Sequence, residues 1–156
     1  MNNATVMYRA LEEQIRRFEI LHRKFREFFE AVLYLEDRKN FGASIKIGNH
    51  LDKNYFTVDF LDKSLIFRFS SALSETNSPV GIVTCLEPNP DDESQPRSVL
   101  RVSFSSTGKV SGIDKPDDFE DPLDIADTIA AVFIVSHCIY LALRKGMPAQ
   151  NQQGSA

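Results

Sequence analysis

Ala4, Leu11, Phe18, Phe25 and Val32 recur every seven residues, interleaved with Met7, Gln14, Leu21, Phe28 and Leu35. Only a helical period returns such a series to one face, so this repeat commits the start of the chain to a long helix. The spacing predicts a helix over Ala4 to Asp37, with Ile15 and Phe29 widening its apolar face beyond a strict coiled-coil seam. Glu12 with Arg16, Glu13 with Arg17, and Glu19 with Arg23 set opposite charges one turn apart, the pattern of a solvated helix face. At about 1.5 Å per residue such a helix extends roughly 50 Å, longer than the strands beside it. Part of its stripe is therefore expected to meet something other than its own sheet, and a second copy of the chain is the first candidate.

A different helix closes the sequence. Ile129 to Leu143 is apolar except for Ser136 and His137. The apolar run is shorter than the roughly 20 residues needed to cross a bilayer, and extending it backwards admits Asp127 and Asp124. Asp121 as N-cap, Pro122 and Asp124 in the first turn, and Arg144, Lys145 and Gly146 at the far end read as the termini of a soluble core helix.

The middle of the chain alternates with period two. Phe56, Val58 and Phe60 share one face, as do Leu65, Phe67 and Phe69. A turn at Asp62 and Lys63 sets Phe60 opposite Leu65, Val58 opposite Phe67 and Phe56 opposite Phe69. A second hairpin follows from Ser106, Thr107 and Gly108, with Gly108 in the left-handed position and Phe104 aligned with Val110. Strands around Ile45 and Ile47, around Val80, Ile82 and Leu86, and around Leu100 and Val102 bring the sheet to five or six. The fold class is α+β: a long N-terminal helix, an antiparallel meander and an apolar C-terminal helix packed on the sheet. Residues 1–148 are expected to form one domain and 149–156 a disordered polar tail.

Charge and cysteine usage bound the partners. A net charge of -4 gives no overall attraction for phosphate backbones, and the basic residues of the first helix alternate with glutamates, so nucleic acid is not an expected partner. Cys85 and Cys138 lie in apolar settings and read as buried free thiols, which fits a reducing compartment. Met1 to Met7 lacks the apolar core of a secretory signal, and the expected location is the cytoplasm, away from membranes.

No motif names a reaction. Asp91, Asp92 and Glu93 lack the alternating ligand spacing of a calcium loop and read as a solvated loop tip. His22, His50 and His137 have no zinc spacing, and neither cysteine belongs to a CxxC pair, so no metal or cofactor is expected. Adjacent positions on a helix diverge by about 100°, so Cys138 does not have His137 as its base. The glycines form neither a phosphate loop nor a dinucleotide fingerprint.

Three readings of function remain. The favoured one is a non-enzymatic protein-binding module of adaptor, chaperone-like or immunity and inhibitor type. It dimerises or holds a partner through Leu11, Phe18 and Phe25, with Asp117, Asp118 and Glu120 adding charge at the rim. The second is a carrier of an apolar small molecule in a Phe-lined pocket between the sheet and the C-terminal helix. The third is an enzyme whose site is assembled from distant residues, with His50 or His137 beside a carboxylate.

Overall fold

The computed structural model describes residues 3–39, 41, 43–89, 91–92, 94–114, 119 and 122–147. Helix α1 runs Asn3–Val32 and is followed, after Leu33, by the single turn α2, Tyr34–Asp37. The break is slight. Leu33 keeps helical dihedrals and its amide still reaches Phe29 O at 3.1 Å. The next bonds, Glu36 N to Leu33 O and Arg38 N to Leu35 O, then tighten to three-residue spacing.

Six strands follow: β1 Ile45–His50, β2 Tyr55–Phe60, β3 Lys63–Leu73, β4 Pro79–Glu87, β5 Arg97–Phe104 and β6 Val110–Ser111. They form one antiparallel sheet in the order β1-β2-β3-β4-β5-β6, a pure meander. Helix α3, Thr128–Lys145, packs against both the sheet and α1.

The β2–β3 register differs from the expected one by two residues. Val58 pairs with Leu65, Phe56 with Phe67 and Phe60 with Lys63, so the turn residues are Leu61 and Asp62. Leu61 takes a positive φ of 55° and points to solvent, the left-handed conformation that a tight connection between twisted strands requires. Because side chains alternate, a slip of two leaves the apolar set on its original face. The β5–β6 hairpin has the expected alignment, Phe104 with Val110, and Gly108 sits at φ 93°. On β4 the helix-facing residues are Gly81, Val83 and Cys85, paired with Phe104, Val102 and Leu100, whereas Ile82 and Leu86 occupy the opposite face.

The start of α3 also differs. The helix begins at Thr128, not near Pro122; Asp127 is its N-cap, and Asp121 lies outside the described residues. Asp124 instead bridges to Lys109, with Val110 N bonded to Leu123 O and Ile125 N to Gly108 O, both at 2.8 Å. Leu123 and Ile125 are buried on either side of it, so this segment extends the sheet edge. The Asp124 carboxylate accepts a bond from Ala126 N at 2.9 Å and turns the chain toward the helix.

The core joins the second half of α1 to the inner face of the sheet. Phe25 stacks on Phe69 and lies against Phe56, with ring centroids 5.4 and 5.6 Å away. Phe28 and Phe29 also pack on Phe56, at 5.6 and 5.3 Å. Ala131, Ile134, Val135, Cys138 and Ala142 of α3 complete the cluster. Val83, Cys85 and Val102 of the sheet belong to the same cluster.

Candidate interaction surface

Helix α1 has two unlike halves. From Leu21 onward its apolar residues are buried under the sheet and α3, but toward the N-terminus the same stripe is open. Met7, Tyr8, Leu11, Ile15 and Phe18 are all exposed; Ile15 is the most open, at 76%. Their spacing of three, four and seven places them on one side of the half-helix. Ala10 is buried and Gln14 partly so; Gln14 Oε1 has no hydrogen-bond partner among the described residues. The side of the helix away from the stripe carries charge. Glu13 accepts hydrogen bonds from Arg16 at 2.9 Å and Arg17 at 2.8 Å, and the Arg17 bond holds its carboxyl below the usual glutamate range.

Phe18 marks the boundary between the halves. One side of its ring meets Phe69 at 5.8 Å and His22 at 6.0 Å, while 39% of the residue remains exposed. His22 is fixed in turn by a 2.9 Å hydrogen bond with Asn54 Oδ1. Asn54 adopts a positive φ of 65° at the end of the short turn after β1.

The residues singled out from sequence fall in three places. Leu11 and Phe18 lie on the open stripe. Phe25 does not: it is fully buried, packed against Phe28, Phe56 and Phe69, and belongs to the domain core, unavailable to a partner. Asp117, Asp118 and Glu120 lie outside the described residues. Met7 and Ile15, which the repeat already sets on the apolar face, are exposed beside Leu11 and Phe18, and Tyr8 is the member of the stripe that the heptad reading does not include. Tyr8 and Ile15, seven apart and each four residues from a heptad position, carried the signal in their spacing.

A second apolar area lies at the start of α3. An open cavity of about 500 Å³ is lined by Tyr34, Arg38, Phe119, Thr128, Ile129, Val132 and Phe133. The Arg38 guanidinium stands 5.9 Å from the ring centres of both Tyr34 and Phe41. Farther along α3, Tyr140, Leu143 and Met147 are exposed. By length and composition α3 is apolar enough to cross a membrane, yet its other face is buried in the fold.

The remaining reactive groups are placed apart. His50 stacks on Tyr55 at 4.8 Å, and His137 lies 5.8 Å from Phe133. Asp92 Oδ1 accepts bonds from the backbone and hydroxyl of Ser94, at 3.1 and 2.6 Å, so this carboxylate shapes its own loop. Glu93 lies outside the described residues. Among the described residues no group of three or more His, Cys, Asp or Glu is placed to hold a metal. Cys85 and Cys138 are both buried free thiols. A hydrogen bond with Cys138, reinforced by burial, keeps the Cys85 thiol far above its ordinary range. Comparison of the chain with family models, with curated proteins and with solved structures found no match.

Proposed function

We propose that the protein is a non-enzymatic interaction module that binds a second copy of itself through the N-terminal half of α1. The observation that carries this reading is the open stripe of Met7, Tyr8, Leu11, Ile15 and Phe18 on a half-helix that its own sheet leaves uncovered. These side chains leave on the order of 500 Å² exposed, at the upper end of the apolar patches that typical monomers tolerate. With their flanks they approach the roughly 800 Å² per partner of a standard interface.

The stripe is self-complementary, as a two-fold interface requires. An antiparallel pair centred between residues 11 and 15 sets Leu11 against Ile15 of the other copy. Glu12 then lies within about 3 Å, along the helix axis, of the height of the other copy's Arg16. The two buried free thiols fit the same reading of a protein from a reducing compartment.

Replacing both Leu11 and Ile15 with Glu tests it. Both are exposed, so the isolated chain is expected to keep its circular dichroism spectrum and to lose less than about 1 kcal/mol of stability. Sedimentation equilibrium at tens of micromolar should then read a dimer for the unaltered chain and a monomer for the variant. A monomeric unaltered chain, or a dimer that survives both substitutions, would refute self-association through this helix.

A further inference from the structure

From the pairing register of the sheet we infer a binding site for a short single strand of nucleic acid, on the sheet face that the helices leave open. Helices α1 and α3 both pack on the side that carries Phe56, Phe67, Val83 and Val102. On the other side, neighbouring positions of β1 to β5 set His50, Tyr55, Arg68, Thr84 and Arg101 in one row. Adjacent strands lie about 4.8 Å apart, so the row spans roughly 19 Å, the scale of a few nucleotides. This face is separate from the α1 stripe, and a strand bound there leaves that helix untouched.

The row carries both kinds of group that a single strand requires. Arg68 and Arg101 are exposed, and among the described residues neither forms an ion pair or a side-chain hydrogen bond. They flank the half-buried Thr84, whose hydroxyl is a further donor to a phosphate oxygen. Tyr55, the neighbour of Arg68, stacks on His50 with ring centroids 4.8 Å apart and planes within 11° of parallel. Among the described residues no further ring or cation contacts Tyr55, and an aromatic pair on a flat sheet face is a platform for a base. The carboxylate of this strand face is Asp59, which lies opposite Lys46 and accepts a hydrogen bond from Ser64. Lys46, Arg68 and Arg101 therefore outweigh it, so the face is basic within a chain of net charge -4. The remainder of the chain repels phosphates, which restricts the site to a short strand and to low salt. A ligand of phosphates alone leaves the rings unused, and an apolar one leaves the guanidiniums unpaired; a strand of bases and phosphates engages both.

The test is fluorescence anisotropy of a short dye-labelled oligothymidylate titrated with the full chain over a range of salt. Binding should saturate at low salt and fall with a log–log salt slope of about -1.4, the value for two phosphates neutralised on a single strand. Arg68→Gln and Arg101→Gln should each remove about half of that slope and weaken binding at least about threefold at low salt. Both positions are exposed, so these variants are expected to keep the fold. Tyr55→Leu should weaken binding at least about fivefold with the slope unchanged, because base stacking is lost while the phosphate contacts remain. Inorganic polyphosphate of matched charge, which has no bases, should compete at least about fivefold less well than unlabelled oligothymidylate. Unsaturable binding at low salt, arginine variants that bind as before, a Tyr55→Leu variant without loss, or equal competition by polyphosphate would each overturn the proposal.

Discussion

Phe25→Ala separates the two fates that a heptad residue on α1 can have. Phe25 is fully buried, with the rings of Phe28, Phe56 and Phe69 centred 6.3, 5.6 and 5.4 Å away. Truncating a buried phenylalanine costs about 3–5 kcal/mol, because the transfer energy of the ring is lost and the surroundings only partly close the cavity. Three lost aromatic contacts place this site near the top of that range. For a chain of this size the loss corresponds to a fall in Tm of roughly 8–20 °C. It is also a large share of the about 5–15 kcal/mol that a typical domain has in total. Phe25→Leu, which keeps most of the volume, provides a folded comparison at about 1–2 kcal/mol.

Urea unfolding followed by circular dichroism, at several protein concentrations, measures both variants. The expected result is a lower midpoint at unchanged slope, with a loss that does not depend on protein concentration. A loss below about 1 kcal/mol for Phe25→Ala, or one that disappears on dilution to monomer, would show that Phe25 acts at an interface and that the core described above is wrong.

Two further outcomes follow from close contacts. A Cβ on Gly81 would lie 2.2 Å from the ring of Phe104, its cross-strand partner. Gly81→Ala is therefore expected to destabilise the chain by about 1–3 kcal/mol in denaturant titrations, with partial recovery when Phe104→Leu is added; an unaffected single variant would contradict the β4–β5 register. Because the folded state holds the Cys85 thiol protonated, the unfolded state alone loses that proton as pH rises past about 8.5. Its stabilising effect is complete below that pH and declines above it, by up to about 1.4 kcal/mol per pH unit, and Cys85→Ala should flatten the decline measured between pH 8 and 10. Equal slopes in the two proteins would dismiss Cys85 as its source.

The parts of the fold legible in sequence are those where periodicity and turn chemistry coincide. The face of α1, the strand alternation and the Gly108 hairpin all fall in this class. Periodicity has a blind spot, which the β2–β3 hairpin displays: a slip of two residues preserves every inward side chain, and nothing about leucine announces that Leu61 takes a left-handed turn. The α3 start failed for a different reason. Pro122 and Asp124 mimic helix-start chemistry, while the alternation of Leu123 and Ile125 about Asp124 was the better guide to an extended segment. Phe25 and Leu11 occupy equivalent heptad positions, so no local rule tells which end of the stripe the sheet will cover. The α2–α3 cavity was least accessible, since Arg38 and Phe133 meet only through the tertiary fold.

The meander has a kinetic consequence as well. Each strand pairs only with its sequence neighbours, so the sheet assembles hairpin by hairpin without waiting for a distant segment, a topology that favours rapid local steps. The exception is α3, which is synthesised after all six strands yet covers Cys85 and Val102 in their centre. During translation the growing chain therefore passes through an interval in which a nearly finished sheet shows water the face that α3 will later seal. At that stage encounter with a chaperone, or with another nascent chain, decides between productive folding and aggregation.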